Sequence, residues 1–94
     1  MGNPMPSFTL GTAVKITIMV SIENPTPVKI KITDPSSSIK VNEASMTQDA
    51  PTVFYYVYQS ATTDLDGEYI ATITASYGSY TTLKQEKFIL EDIE

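Results

Sequence analysis

Hydrophobic and polar residues alternate along most of this chain with a period of two. The clearest run sets Val14, Ile16, Ile18, Val20 and Ile22 against Lys15, Thr17, Met19 and Ser21, predicting a strand over 14–22 with one face in a core. Val28, Ile30 and Ile32 alternate with Lys29, Lys31 and Thr33 in a second amphipathic strand. Ile39 and Val41 mark a short strand over 38–42, and 43–51 reads as a loop with room for one helical turn. An aromatic and β-branched run follows over 52–60, then alternating segments over 68–77 and 80–90; a short opening strand fits 7–10. Between them stand turn signals: two prolines in Glu23-Asn24-Pro25-Thr26-Pro27, Asp34-Pro35 at the start of a type I turn, and Gly78-Ser79 as a two-residue hairpin.

Seven such strands predict one all-β domain over 1–94, an antiparallel β-sandwich with Greek-key connections, an extended start over 1–6 and an acidic tail over 91–94. The expected core is Val14, Ile16, Ile18, Val20, Ile30, Ile32, Phe54, Tyr56, Tyr69, Ala71, Ile73 and Phe88. One detail conflicts with it. A two-residue turn at Gly78-Ser79 sets Lys84 and Glu86 opposite Ile73 and Ala71, on the inward face. A bulge or a shift in register near Thr82 is therefore expected, turning Leu83 inward instead.

Composition reinforces the β assignment and narrows function. Ten Ile and thirteen Thr favour pleated, half-buried surfaces. The chain has no Cys, His, Trp or Arg. That excludes disulfides, thiolate or imidazole metal sites, and every catalytic arrangement that needs a histidine. Six scattered lysines within a net charge of −5 suit neither nucleic acid nor an anionic membrane. The longest apolar stretch, over 13–22, is broken by Lys15, Thr17 and Ser21 and falls short of a membrane span. No basic or apolar leader opens the sequence, which favours a virion or cytoplasmic setting, or an extracellular one for a domain excised from a longer chain.

Gly67-Glu68-Tyr69-Ile70-Ala71, preceded by Asp64 and Asp66, resembles the tyrosine corner of immunoglobulin-like domains, with Asp66, Gly67 and Tyr69 as its structural residues. Ala71 stands where antibody domains place a cysteine, so the antibody type is excluded. More broadly, residues 8–90 resemble the small disulfide-free immunoglobulin-like domains of bacteria, archaea and their phages. The order of elements carries that likeness: Gly11 before 14–22, Ile30-Lys31-Ile32-Thr33-Asp34-Pro35, Phe54-Tyr55-Tyr56, Gly67-Glu68-Tyr69 and Phe88-Ile89-Leu90. The resemblance implies an immunoglobulin-like sandwich with a non-catalytic structural or protein-interaction role, as in a phage head or tail component. An adhesion or spacer module of a cell-surface protein, binding carbohydrate or calcium, is the alternative it implies.

Candidate chemistry is sparse. Asp64-Leu65-Asp66-Gly67-Glu68 fails as an EF-hand, because Thr62 and Ile73 fall at its first and twelfth ligand positions. A looser calcium site shared with Asp34 or Asp49 competes with local backbone hydrogen bonding by these aspartates. No catalytic residue, cofactor or small-molecule substrate is assigned. In the aromatic strand, Phe54, Tyr56 and Tyr58 fit a core rich in small residues, leaving Tyr55 and Val57 outside. Those two are either covered by neighbouring long side chains or form a patch for a protein partner or for self-assembly. Tyr77 and Tyr80 flank the hairpin tip and read as turn support or as a second partner contact.

Overall fold

The computed structural model describes residues 5–92, so the expected extended start and acidic tail lie partly outside the described residues. Among the described residues eight strands form: β1 (Ser7–Thr9), β2 (Ala13–Met19), β3 (Val28–Thr33), β4 (Ile39–Ser45), β5 (Thr47–Ala50), β6 (Val53–Gln59), β7 (Gly67–Tyr77) and β8 (Tyr80–Glu91). They build a five-stranded sheet in the order β1-β8-β7-β3-β4 and a three-stranded sheet in the order β2-β6-β5. The chain passes from one sheet to the other between β1 and β2, β2 and β3, β4 and β5, and β6 and β7. These crossovers give a Greek-key β-sandwich.

Alternation decides which side chains fill the space between the sheets. In β2, Val14, Ile16 and Ile18 are buried while Ala13, Lys15, Thr17 and Met19 are exposed. Val28, Ile30 and Ile32 of β3 point the same way into the core, and Tyr69, Ala71, Ile73 and Ala75 of β7 complete it. Phe54 and Tyr58 are buried, and Tyr56 packs against the core while only partly buried. Tyr69 stacks on Phe88 at 5.5 Å between ring centroids, with Tyr58 tilted against it at 6.2 Å. Val28 and Ala75, on the faces that alternation marks as inward, join the expected core, and so do Leu10, Met46 and Leu90, which the alternation alone did not assign to it.

Four expectations need correction. The sheet is not wholly antiparallel, because β1 runs parallel to β8, with Phe8 edge-on to Phe88 at 6.3 Å. The strand expected over 14–22 ends at Met19, where the ladder to β6 runs out at the Met19–Val53 pair; Val20 adds one last bond to Thr52. The segment over 43–51 is no loop or helical turn. Glu43 takes a φ of 55° where β4 slips register against β3, so β4 continues to Ser45. Met46 then inserts its side chain into the core, and β5 pairs with β6.

The fourth correction concerns the last hairpin. No bulge interrupts β7 and β8, whose register runs unbroken from Gly67–Leu90 to Tyr77–Tyr80. Leu83 faces outward and is 70% exposed. Lys84 and Glu86 do occupy the inward side, opposite Ile73 and Ala71. They remain solvated because the three-stranded sheet covers β7 and stops short of this half of β8.

Candidate functional site

Pairing of β2 with β6 sets Met19 beside Val53, Thr17 beside Tyr55 and Lys15 beside Val57 on the outer face of the three-stranded sheet. Met19 is 65% exposed and Val57 49%, while Val53 and Tyr55 are half-buried. The Lys15 ammonium sits 4.6 Å above the centre of the Tyr55 ring, a cation–π contact that covers part of one aromatic face. A long side chain shields Tyr55, and an apolar row from Met19 to Val57 stays open.

Tyr77 and Tyr80 face each other as the last pair of β7 and β8, flanking Gly78 at a φ of 60°. They are largely exposed and belong to the five-stranded sheet, so they do not share a surface with Tyr55 and Val57.

At the opposite end of β7, the Tyr69 hydroxyl donates to the Leu65 carbonyl at 2.6 Å. Gly67 adopts a φ of 129°, and a Cβ there would lie 2.9 Å from the Pro35 ring. Both facts account for a glycine at the corner. Asp66 is exposed. The Tyr69 phenol is pushed up to about 12, chiefly by burial and then by the charges of Asp64, Asp34 and Asp66.

Asp64 is committed to the fold. Its Oδ2 accepts from the Ala61 N–H at 2.8 Å and the Tyr58 hydroxyl at 3.1 Å, and its Oδ1 lies 3.1 Å from Lys40 Nζ. The Ala61 N–H leads in holding its carboxyl below the usual range, helped by Lys40 and Tyr58. Burial and the same carboxylate raise the Tyr58 phenol. Asp34 is likewise engaged: Oδ1 accepts from the Ser36 hydroxyl at 2.7 Å, the Ser36 N–H at 2.9 Å and the Ser38 N–H at 3.0 Å. Those bonds, the Ser36 hydroxyl foremost, keep Asp34 ionised below its ordinary value. Among the described residues no group of three or more acidic, histidine or cysteine side chains is placed to hold a metal ion. No helix there is long and apolar enough to cross a membrane.

Sequence reasoning did not find the Lys40–Asp64–Tyr58 network, since strand register alone decides that β4 delivers Lys40 to this corner. It also missed an open cleft between β2 and β8. The signal for that cleft was present in Lys84 and Glu86, charged residues that the hairpin register sets on an inward face.

No family model and no curated protein matches the chain. Among solved structures it is similar to CopC from Methylosinus trichosporium OB3b, at a TM-score of 0.67 and 15% sequence identity, over 98% of this chain and 88% of that one. At that identity the likeness carries the fold alone. The sheet order, the crossovers and this neighbour together make the chain an immunoglobulin-like β-sandwich.

Proposed function

We propose that this chain is a non-catalytic protein-interaction domain that meets its partner with the outer face of the three-stranded sheet. The observation that carries it is the row Met19, Val53, Tyr55 and Val57, apolar side chains placed side by side on a face that no other element of the described residues covers. An aromatic ring already held by Lys15 loses little side-chain freedom on binding, which is the property of an interface anchor. The composition supports a role without chemistry, because there is no His or Cys to act as base, nucleophile or soft-metal ligand. A virion component, as the sequence resemblance implies, is one setting in which such a face would be used.

A photo-crosslinking amino acid at Val57, with a control at Lys31 on the other sheet, tests the assignment in the source cells. One discrete adduct is expected at Val57, lost when Met19→Asp is added, and none at Lys31. Equal, diffuse labelling at both positions refutes the interaction face.

A further inference from the structure

Where the turn between β2 and β3 meets β5, the space between the sheets opens to solvent as a pocket of about 310 Å³. Val28, Met46 and Phe54, all buried in the core, form its apolar floor. Its wall breaks the alternation. Gln48 pairs with Phe54 in the β5–β6 ladder, which sets a polar side chain on the inward side of an edge strand. The Gln48 amide nitrogen donates to Asn24 Oδ1 at 2.8 Å. Asn24, at a φ of 52°, is held in turn by the bond from its N–H to the Pro51 carbonyl at 2.7 Å. The two amides are thus fixed against each other at the pocket's exposed rim. Each keeps a group that this bond does not use, Asn24 Nδ2 as a donor and Gln48 Oε1 as an acceptor.

Backbone bonds join this pocket to the last hairpin. The Thr26 N–H donates to the Ser76 carbonyl at 2.7 Å, and the Ser76 N–H to the Pro27 carbonyl at 3.0 Å. Thr26 and Pro27 line the pocket, so the turn that shapes it is fastened to the residue before Tyr77. Tyr77 and its cross-strand partner Tyr80 are 50% and 71% exposed. One end of the sandwich therefore carries both an amide-rimmed pocket and an uncovered aromatic pair.

The chemistry selects the class of ligand. No charged side chain lines the pocket, although six lysines and eleven acids are spread along the chain. Nothing there rewards an anion or a cation. A sugar hydroxyl both donates and accepts, so neighbouring hydroxyls match an amide donor beside an amide acceptor. The C–H face of a sugar ring packs on an exposed tyrosine or an apolar floor and leaves no charge to neutralise. We infer that this end of the domain binds a neutral glycan chain, one sugar seated against Asn24 and Gln48 and a neighbouring sugar stacked on Tyr77 and Tyr80. The site is separate from the outer face of the three-stranded sheet and does not depend on it.

The test is titration of the isotope-labelled chain with neutral oligosaccharides (cellohexaose, maltohexaose, mannohexaose and xylohexaose) and with hexagalacturonate as an acidic counterpart. At least one neutral chain should give saturable shifts of the Asn24, Thr26 and Gln48 amides and of the Tyr80 ring; hexagalacturonate should give none. Gln48→Met keeps the side-chain length and loses the hydrogen bonds, and Tyr80→Ala removes the most exposed ring. Each should weaken that oligosaccharide about tenfold or more, while Val57→Ser on the outer face leaves it unchanged. If Gln48→Met does not fold, Asn24→Gly, which suits the left-handed backbone and removes the amide, reads the same contact. Four results overturn the assignment. These are no binding of any neutral oligosaccharide, equal binding of hexagalacturonate, shifts confined to Tyr55 and Val57, or folded pocket and Tyr80 variants that bind as the parent does.

Discussion

Replacing Tyr69 by Phe isolates one atom of the corner. The ring is fully buried and keeps its place on Phe88, so only the bond to the Leu65 carbonyl is lost. A short buried hydrogen bond of this kind contributes about 1–2 kcal/mol net. For a domain of this size that lowers Tm by roughly 5–15 °C, out of a total stability on the order of 5–14 kcal/mol. The same hydroxyl makes a second, independent demand. Its folded pKa, raised from 10.0 to about 12, means that the folded chain holds a proton the unfolded chain releases. The linked stability is complete below pH 10 and is lost as pH rises through 12, by about 2–3 kcal/mol across that window. Phe has no proton to lose. Tyr58 titrates in both proteins and cancels except for the small part of its rise that the Tyr69 charge supplies.

The expected result is therefore a gap that closes. At pH 7 the variant is the less stable protein, and between pH 10 and 12 the two curves meet and cross, because the ionisation loss exceeds the hydrogen bond's contribution. Urea unfolding followed by far-ultraviolet circular dichroism measures it, since tyrosine fluorescence would change with ionisation itself and the chain has no tryptophan. A variant as stable as the parent at pH 7 removes the hydrogen bond from the account. A gap unchanged from pH 7 to pH 12 removes the buried phenol.

Two further outcomes test the fold. Leu83→Ser should change stability by less than about 0.5 kcal/mol, as for most exposed positions; a loss of about 2–3 kcal/mol in thermal unfolding would mean that Leu83 is packed after all. Acid should destabilise the domain through Asp34 and Asp64, whose folded pKa values lie below the ordinary 3.8. Their contribution is present above pH 4 and lost as pH falls through the depressed values, and Asp34→Ala should flatten that limb of the melting curve.

The two-layer architecture was legible because alternation is local. Val14 to Ile18 and Val28 to Ile32 each declare a buried face without reference to any other strand. What was not legible depends on partners distant in sequence. Thr47–Ala50 has no alternation, and becomes a strand only because Val53–Gln59 offers it a ladder. Lys40 reaches Asp64 through the pairing of β4 with β3, across a register slip that no local pattern announces. Tyr55 and Val57 could be placed outside the core from the sequence, whereas the ring contact with Lys15 needed the register of β2.

The charged inward residues of β8 show how a mismatch between pattern and burial carries information. Lys84 and Glu86 look like errors if both faces of the sandwich are equally wide. At about 3.3 Å per residue, the 12 residues of β8 run roughly 40 Å and the 7 of β2 roughly 23 Å, so the layers cannot match along their length. They do not match in width either, at five strands against three. Filling positions 84 and 86 with apolar residues would expose a greasy ledge beside an unpaired strand edge, which invites indiscriminate aggregation. A lysine and a glutamate keep the ledge hydrated. The residues that break the alternation thus mark where one layer of the sandwich outruns the other.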